Sequence, residues 1–145
     1  MPLPVQGAFS LTSHSGDLQT FRPGLAMNVQ VHEQNGSTIA EVTSDEVLIH
    51  TTDDGLQIMA DLYYQGYDAV VLHERNITPH FFDLKTGIAG EILQKFTTYR
   101  VRLAIVGDFS GYESQSLRDF IFESNKGKQV NFLPSVEEAL GRLSR

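Results

Sequence analysis

Ala69-Val70-Val71-Leu72 is a run of four apolar residues, and Leu103-Ala104-Ile105-Val106 is a second. A half-buried strand alternates apolar and polar residues. A strand covered on both faces has no polar position, and these runs fit that case. Strands of this kind are usually parallel, and parallel strands need long crossovers. The sequence between the two runs supplies one. Ile88, Ile92 and Phe96 form one stripe, with Ala89 and Leu93 beside it, which predicts a helix from about Gly87 to Tyr99.

The same logic extends in both directions. Upstream, Thr52 reads as an N-cap, with Asp53 and Asp54 in the first turn where the helix dipole favours them. Leu56, Met59, Leu62 and Tyr63 share a face, and Gly66 suits the end of that helix. Further upstream, Val29 and Val31 alternate with Asn28, Gln30 and His32. Asn35-Gly36 then signals a tight hairpin, with Ser37 to Val42 as the return strand. Val47-Leu48-Ile49 fits either a short strand or a helical turn. Thr78-Pro79 marks a helix start of one or two turns.

Downstream, Ser116 with Asp119 reads as a capping box ahead of Leu117, Phe120 and Ile121, and Gly127 ends that helix. Val130 to Leu133 is the last strand. Ser135 with Glu138 is a second capping box, followed by Val136, Ala139, Leu140 and Leu143 at helical spacing. The expectation is a single α/β domain over residues 27–145. It has a mixed sheet of about five strands with a parallel core, an N-terminal hairpin and helices packed on it. Residues 1–26 hold Pro2, Pro4, Gly7, Gly16, Pro23 and Gly24 and no sustained period. They are expected to form a loosely ordered extension with a short extended piece at Ala8 to Leu11.

The 145 residues suffice for one domain with a real core. The absence of cysteine excludes disulfides, thiolate nucleophiles and cysteine metal sites, and makes a cytoplasmic location the expectation. The N-terminus shows no basic stretch followed by an apolar one, and no run approaches the length of a membrane span. The net charge of −7 argues against nucleic acid as a partner. The charge is uneven. Glu33 to Glu91 holds eleven acids and two bases, whereas Ile92 to Arg145 holds eight bases and six acids. That pattern reads as two solvated faces or as a polarised docking surface.

Three longer motifs stand out: Phe81 to Phe96 (FFDLKTGIAGEILQKF), Leu103 to Ser110 (LAIVGDFS) and Asn125 to Gln129 (NKGKQ). On these the chain resembles, from about Met27 to Leu143, the bacterial family called domain of unknown function 4180. That resemblance implies no activity and no catalytic residues. More distantly, the order of elements is similar to STAS domains, the sulphate-transporter and anti-sigma-factor-antagonist fold. Their regulatory loop carries an acidic-hydroxyl-glycine motif between a central strand and a helix. Here Phe82-Asp83, Thr86-Gly87 and a helix fall at the corresponding place. The loop is one residue longer, and Leu84 and Lys85 stand where small hydroxyl residues are expected.

Thr86, Gly87, Lys85 and Asp83 therefore form the first candidate site. Unpaired N–H groups at a helix start would hold a phosphate or another anion, and Lys85 adds a positive charge. The plainer reading makes Thr86 an N-cap whose hydroxyl satisfies a backbone donor. The second candidate set is His73, Glu74, His80 and Asp83, which follow the central strand, where α/β sheets bind ligands. Imidazole and carboxylate groups suit a divalent metal, but their spacing matches no metal motif, so no metal or cofactor is assigned. His14, His32 and His50 are scattered. Gly107-Asp108-Phe109-Ser110-Gly111 lacks the Gly-x-Ser-x-Gly pattern of a nucleophile turn, and no phosphate-binding glycine loop is present.

The expected function is a non-enzymatic regulatory or protein-binding module that presents residues 78–90 to a protein partner or a small anionic ligand. The alternative is a small enzyme, or a metal- or anion-binding protein, working at the carboxyl end of the central strand. A homo-oligomer is left open by the sequence.

Overall fold

The computed structural model describes residues 10–11, 17–19 and 27–144. Among the described residues seven strands form one sheet in strictly sequential order: β1 (Ser10–Leu11), β2 (Asp17–Gln19), β3 (Asn28–Gln34), β4 (Ser37–Thr43), β5 (Ala69–His73), β6 (Arg102–Val106) and β7 (Val130–Leu133). The last five are the body of the sheet. β3 and β4 pair antiparallel, and β4 through β7 run parallel. This is the mixed α/β sheet expected, with the two short strands added antiparallel at its β3 edge. Most of the expected N-terminal extension, including Ala8 and Phe9, lies outside the described residues.

The hairpin turns where Asn35-Gly36 places it. Asn35 has φ 51° and Gly36 φ 86°, the two positive values that a type I′ turn requires. The described residues also form four helices: α1 (Thr52–Tyr64), α2 (Ile88–Thr98), α3 (Gln115–Lys126) and α4 (Val136–Leu143). Two of their caps differ from the expectation. Thr51 rather than Thr52 caps α1, and it forms a full capping box with Asp54. Ser114 rather than Ser116 caps α3, because its hydroxyl reaches the Leu117 N–H while Ser116 is already helical. Ser135 caps α4 as expected, accepting from the Glu138 N–H. Val47-Leu48-Ile49 is neither a strand nor a helix. It runs as a loop in which Ile49 makes an isolated parallel bridge to Ile77.

Sequential parallel strands joined by right-handed crossovers carry all their connecting helices on one face. The core divides accordingly. Val70, Leu72, Leu103 and Ile105 point into the large layer with Ile58 and Leu62 of α1, Ile92 and Phe96 of α2, and Leu117 of α3. Ala69, Val71, Ala104 and Val106 point the other way, where Ala139 and Leu143 of α4 cover them. Two covered faces explain why both apolar runs lack a polar position. Val71 and Ile105 lie on adjacent strands but face opposite layers.

The NKGKQ motif closes the β7 edge. The Asn125 side chain accepts from the Phe132 N–H at 2.7 Å and donates to the Phe132 carbonyl at 3.0 Å, taking the place of a neighbouring strand. Gln129 donates to the Val101 carbonyl, and Arg102 donates to the carbonyls of Lys128, Arg142 and Leu143. These bonds tie β6, β7 and the end of α4 together.

α4 is one short helix on a wide sheet, so the β3–β4–β5 end of its face carries polar side chains. That end and the rim beyond β5 hold the two clusters described next.

Candidate functional site

The rim begins where β5 ends. A short 3-10 turn (Glu74–Asn76) is followed by two more, Pro79–Phe82 and Leu84–Thr86. The expected helix start at Thr78-Pro79 thus yields a single 3-10 turn. Thr78 caps it through the His80 N–H, and Pro79 suits its first position. Phe81 and Phe82 anchor the rim into the core. They meet edge to face at 4.9 Å, and Phe82 stacks on Tyr112 at 5.1 Å. The polar residues on either side of these anchors face outward: His80, Asp83, Lys85 and Thr86 are all at the surface.

Thr86 fastens this rim by its hydroxyl. Its Oγ1 donates to the His80 carbonyl at 2.8 Å and the Asp83 carbonyl at 2.9 Å, and it accepts from the Ile88 N–H at 3.3 Å. A hydroxyl has one proton, so the two carbonyls share it. The Asp83 carboxylate accepts from the Lys85 N–H. Gly87, with φ 81°, occupies the N-cap position of α2. Space for a Cβ exists there, so the left-handed backbone alone favours glycine. Thr86 is therefore not the N-cap itself; it stitches the turn that precedes the cap.

The second candidate set is dispersed. Glu74 turns toward β6: its carboxylate accepts from the Asp108 N–H at 3.2 Å and from the Tyr112 hydroxyl at 2.6 Å. A Cβ on Gly107 would meet Glu74 at 2.5 Å, which is why LAIVGDFS needs glycine at that point. Burial, and then the Glu74 carboxylate, push the Tyr112 hydroxyl well above its ordinary range. His73 points to the opposite side, and His80 and Asp83 stay on the rim. Among the described residues no group of three or more His, Asp or Glu side chains is placed to hold a metal ion.

Beside α4, on the β3–β4–β5 end of its face, a different cluster forms. Glu41 of β4 is 7% exposed, and its two carboxylate oxygens are taken by two imidazoles. His32 Nε2 lies 2.9 Å from Oε1, and His73 Nε2 lies 2.8 Å from Oε2. Arg75 completes the row, with a guanidinium nitrogen 3.4 Å from His73 Nδ1. A guanidinium can only donate, so a bond from Arg75 requires the tautomer with Nδ1 unprotonated, in which Nε2–H donates to Glu41. The hydrogen bond from His73, with a smaller contribution from His32, outweighs burial and holds the Glu41 carboxyl below its ordinary value of 4.5. Of these residues only His73 is singled out by the sequence. His32 and Glu41 lie on neighbouring strands, and no spacing along the chain signals that pairing.

The sign of the Glu41 shift gives a pH dependence. A carboxyl whose value is depressed by folding stabilises the fold above its unfolded value, and that contribution disappears as pH falls through the folded value. Stability of the wild type should therefore decline as pH drops below about 4.5. Glu41→Gln keeps a hydrogen-bonding side chain but removes the charge, and should flatten that limb. Denaturant midpoints measured from neutral to acid pH for both chains test this; parallel acid limbs would exclude Glu41 as their source.

No helix among the described residues is long and apolar enough to cross a membrane. Comparison with curated proteins and with solved structures gives no match. One family model does match, over residues 34–143, from the hairpin turn to the last residue of α4 and including all three motifs, and on that span the chain belongs to the family described as Domain of unknown function (DUF4180).

Proposed function

We propose that this chain is a non-enzymatic, STAS-like regulatory module that presents the 78–90 rim to a protein partner. The observation that carries this reading is the hydrogen bonding of Thr86. An exposed side chain holds the rim closed with one hydroxyl proton shared by the His80 and Asp83 carbonyls. A phosphate ester on Oγ1 would remove that proton and add roughly −1.5 to −2 charges beside two carbonyl oxygens. The closed stitch could not survive, and Asp83 and Glu91 would add repulsion that Lys85 only partly offsets. The rim would then open while Phe81 and Phe82 keep its base anchored. The sequential sheet, with three helices on one face and one on the other, agrees with the STAS-like reading.

Thr86→Val removes both the donor and the acceptor, and should cost about 1 kcal/mol through the missing turn bonds. Thr86→Glu should leave the fold intact and change partner capture. The test combines melting, affinity capture from native cells and phosphosite mapping of the native chain. Equal capture by wild type and both variants, with no phosphate at Thr86, would reduce the residue to a turn-stabilising one.

A second reading, a small enzyme, is favoured by one feature, which lies across β3 and β4 rather than at the carboxyl end of the central strand. Glu41 orients the half-buried His32 by its Nε2, as a carboxylate orients a general base. Turnover abolished by His32→Gln, with the rim variants unaffected, would favour this reading over the first.

A further inference from the structure

We propose that His73 and Arg75 form a proton-operated latch on the α4 face of the sheet, closed while the His73 ring is neutral and released when it gains its second ring proton. The argument rests on donor and acceptor roles. His73 uses both ring nitrogens, with Nε2–H directed to Glu41 Oε2 at 2.8 Å and Nδ1 facing the Arg75 guanidinium at 3.4 Å. This arrangement holds for the neutral Nε2–H ring alone. In the imidazolium both nitrogens are donors, so Nδ1–H would confront a group that also only donates, and two positive charges would meet. The Glu41 bond survives that change and is strengthened by it. The bond from Arg75 does not. At 3.4 Å it is long and weak, so a modest charge effect suffices to break it.

The charged surroundings are consistent with release. On β3, His32 lies on the far side of Glu41 and bonds its other oxygen. On β5 and the following turn, Glu74 is turned away and occupied by Asp108 and Tyr112. The neighbour of His73 on β6 is the apolar Val106. α4 packs on this face through Ala139 and Leu143. Its Glu137 and Glu138 are exposed, and its Arg142 is engaged by the Asn125 and Gly127 carbonyls. Arg75 also borders a cavity of about 270 Å³ shared with Met27, Asn28, Asp45 and Glu46. A released guanidinium has those two carboxylates within the same cavity to move toward. The latch thus connects a ring proton on β5 to the start of β3 and the bend after β4.

The experiment is long-range ¹H–¹⁵N correlation of the imidazole rings and guanidinium groups in the full chain, from neutral pH downward until the His73 ring carries both protons. At the upper pH the expected result is an Nε2–H tautomer for His73, with the Arg75 guanidinium beside the ring. At the lower pH both ring nitrogens should carry protons and the guanidinium should have moved away. An Nδ1–H tautomer at the upper pH, or a guanidinium that stays beside the ring after His73 is charged, would overturn the latch. His73→Gln, which can donate to Glu41 but cannot gain a proton, should abolish the pH response of Arg75. His32→Gln should leave it in place, and disappearance of the response in that variant would move the switch away from His73. Should His73→Gln fail to fold, the wild-type titration decides alone. No outcome depends on whether Thr86 is modified.

Discussion

Phe96→Ala should destabilise the protein by about 3–5 kcal/mol, the cost of removing a buried aromatic ring and leaving a cavity. Phe96 sits on α2 at 1% exposure and is among the largest fully buried side chains. It belongs to the layer that α1, α2 and α3 build against β5 and β6, and the end of α2 folds back there through the bond from the Val101 N–H to the Phe96 carbonyl at 2.9 Å. A domain of this size is stable by roughly 5–15 kcal/mol, so the loss is a large share of the total. Chemical denaturation with an unchanged slope is the measurement. A cost below about 1 kcal/mol would mean that the layer relaxes into the space, which contradicts close packing of α2 on the sheet.

The second large effect is expected at Gly55. It lies in the first turns of α1, where that helix crosses α2, and an ideal Cβ there would come within 2.4 Å of Ile92 Cδ1 and 2.8 Å of Ile92 Cγ1. Ile92 is itself 1% exposed, so its side chain has little room to withdraw. Gly55→Ala should therefore cost about 1–3 kcal/mol by overpacking, against the gain in helix propensity that alanine normally brings. Ile92→Val removes the atom that would be struck first. The double variant Gly55→Ala with Ile92→Val should be more stable than the sum of the two single changes predicts, a coupling that a double-mutant cycle measures. Strict additivity would show that α1 and α2 separate freely and that the glycine reflects something other than close approach.

Glycine at position 55 illustrates what the chain alone does not disclose. Its neighbours Asp53, Asp54 and Leu56 mark a helix, but the need for a missing side chain arises from Ile92, on a different helix. Gly107 is the same case, because its constraint comes from Glu74 at the end of another strand. Gly36 and Gly87 are different. Each follows from local backbone conformation, and the Asn35-Gly36 turn is readable without any tertiary knowledge.

The two candidate sites divide along the same line. Thr86 and its rim are a local affair of nine residues, Thr78 to Thr86, and the sequence singles out the right stretch. It misplaces Thr86 by one position, because the N-cap falls on Gly87. The cluster His73, Glu74, His80 and Asp83 follows from nearness along the chain, and the fold separates it. Adjacent residues in extended backbone point to opposite sides, so His73 and Glu74 part at once, one toward Glu41 and the other toward Asp108 and Tyr112. The partners that His73 does acquire across the sheet come from positions 32 and 41.

Period and punctuation along the chain determined the long helices, the last five strands, their order and the class of the sheet. Apolar periodicity, capping hydroxyls and turn glycines act within a few residues, and the burial of both faces is written into the two apolar runs themselves. Only the tertiary structure decided the strictly sequential strand order, the placement of three helices on one face and one on the other, and the assembly of His32, Glu41, His73 and Arg75. Those outcomes depend on which strands become neighbours. Strand pairing brings together residues 9 and 32 positions apart, and no short-range rule of sequence carries that information.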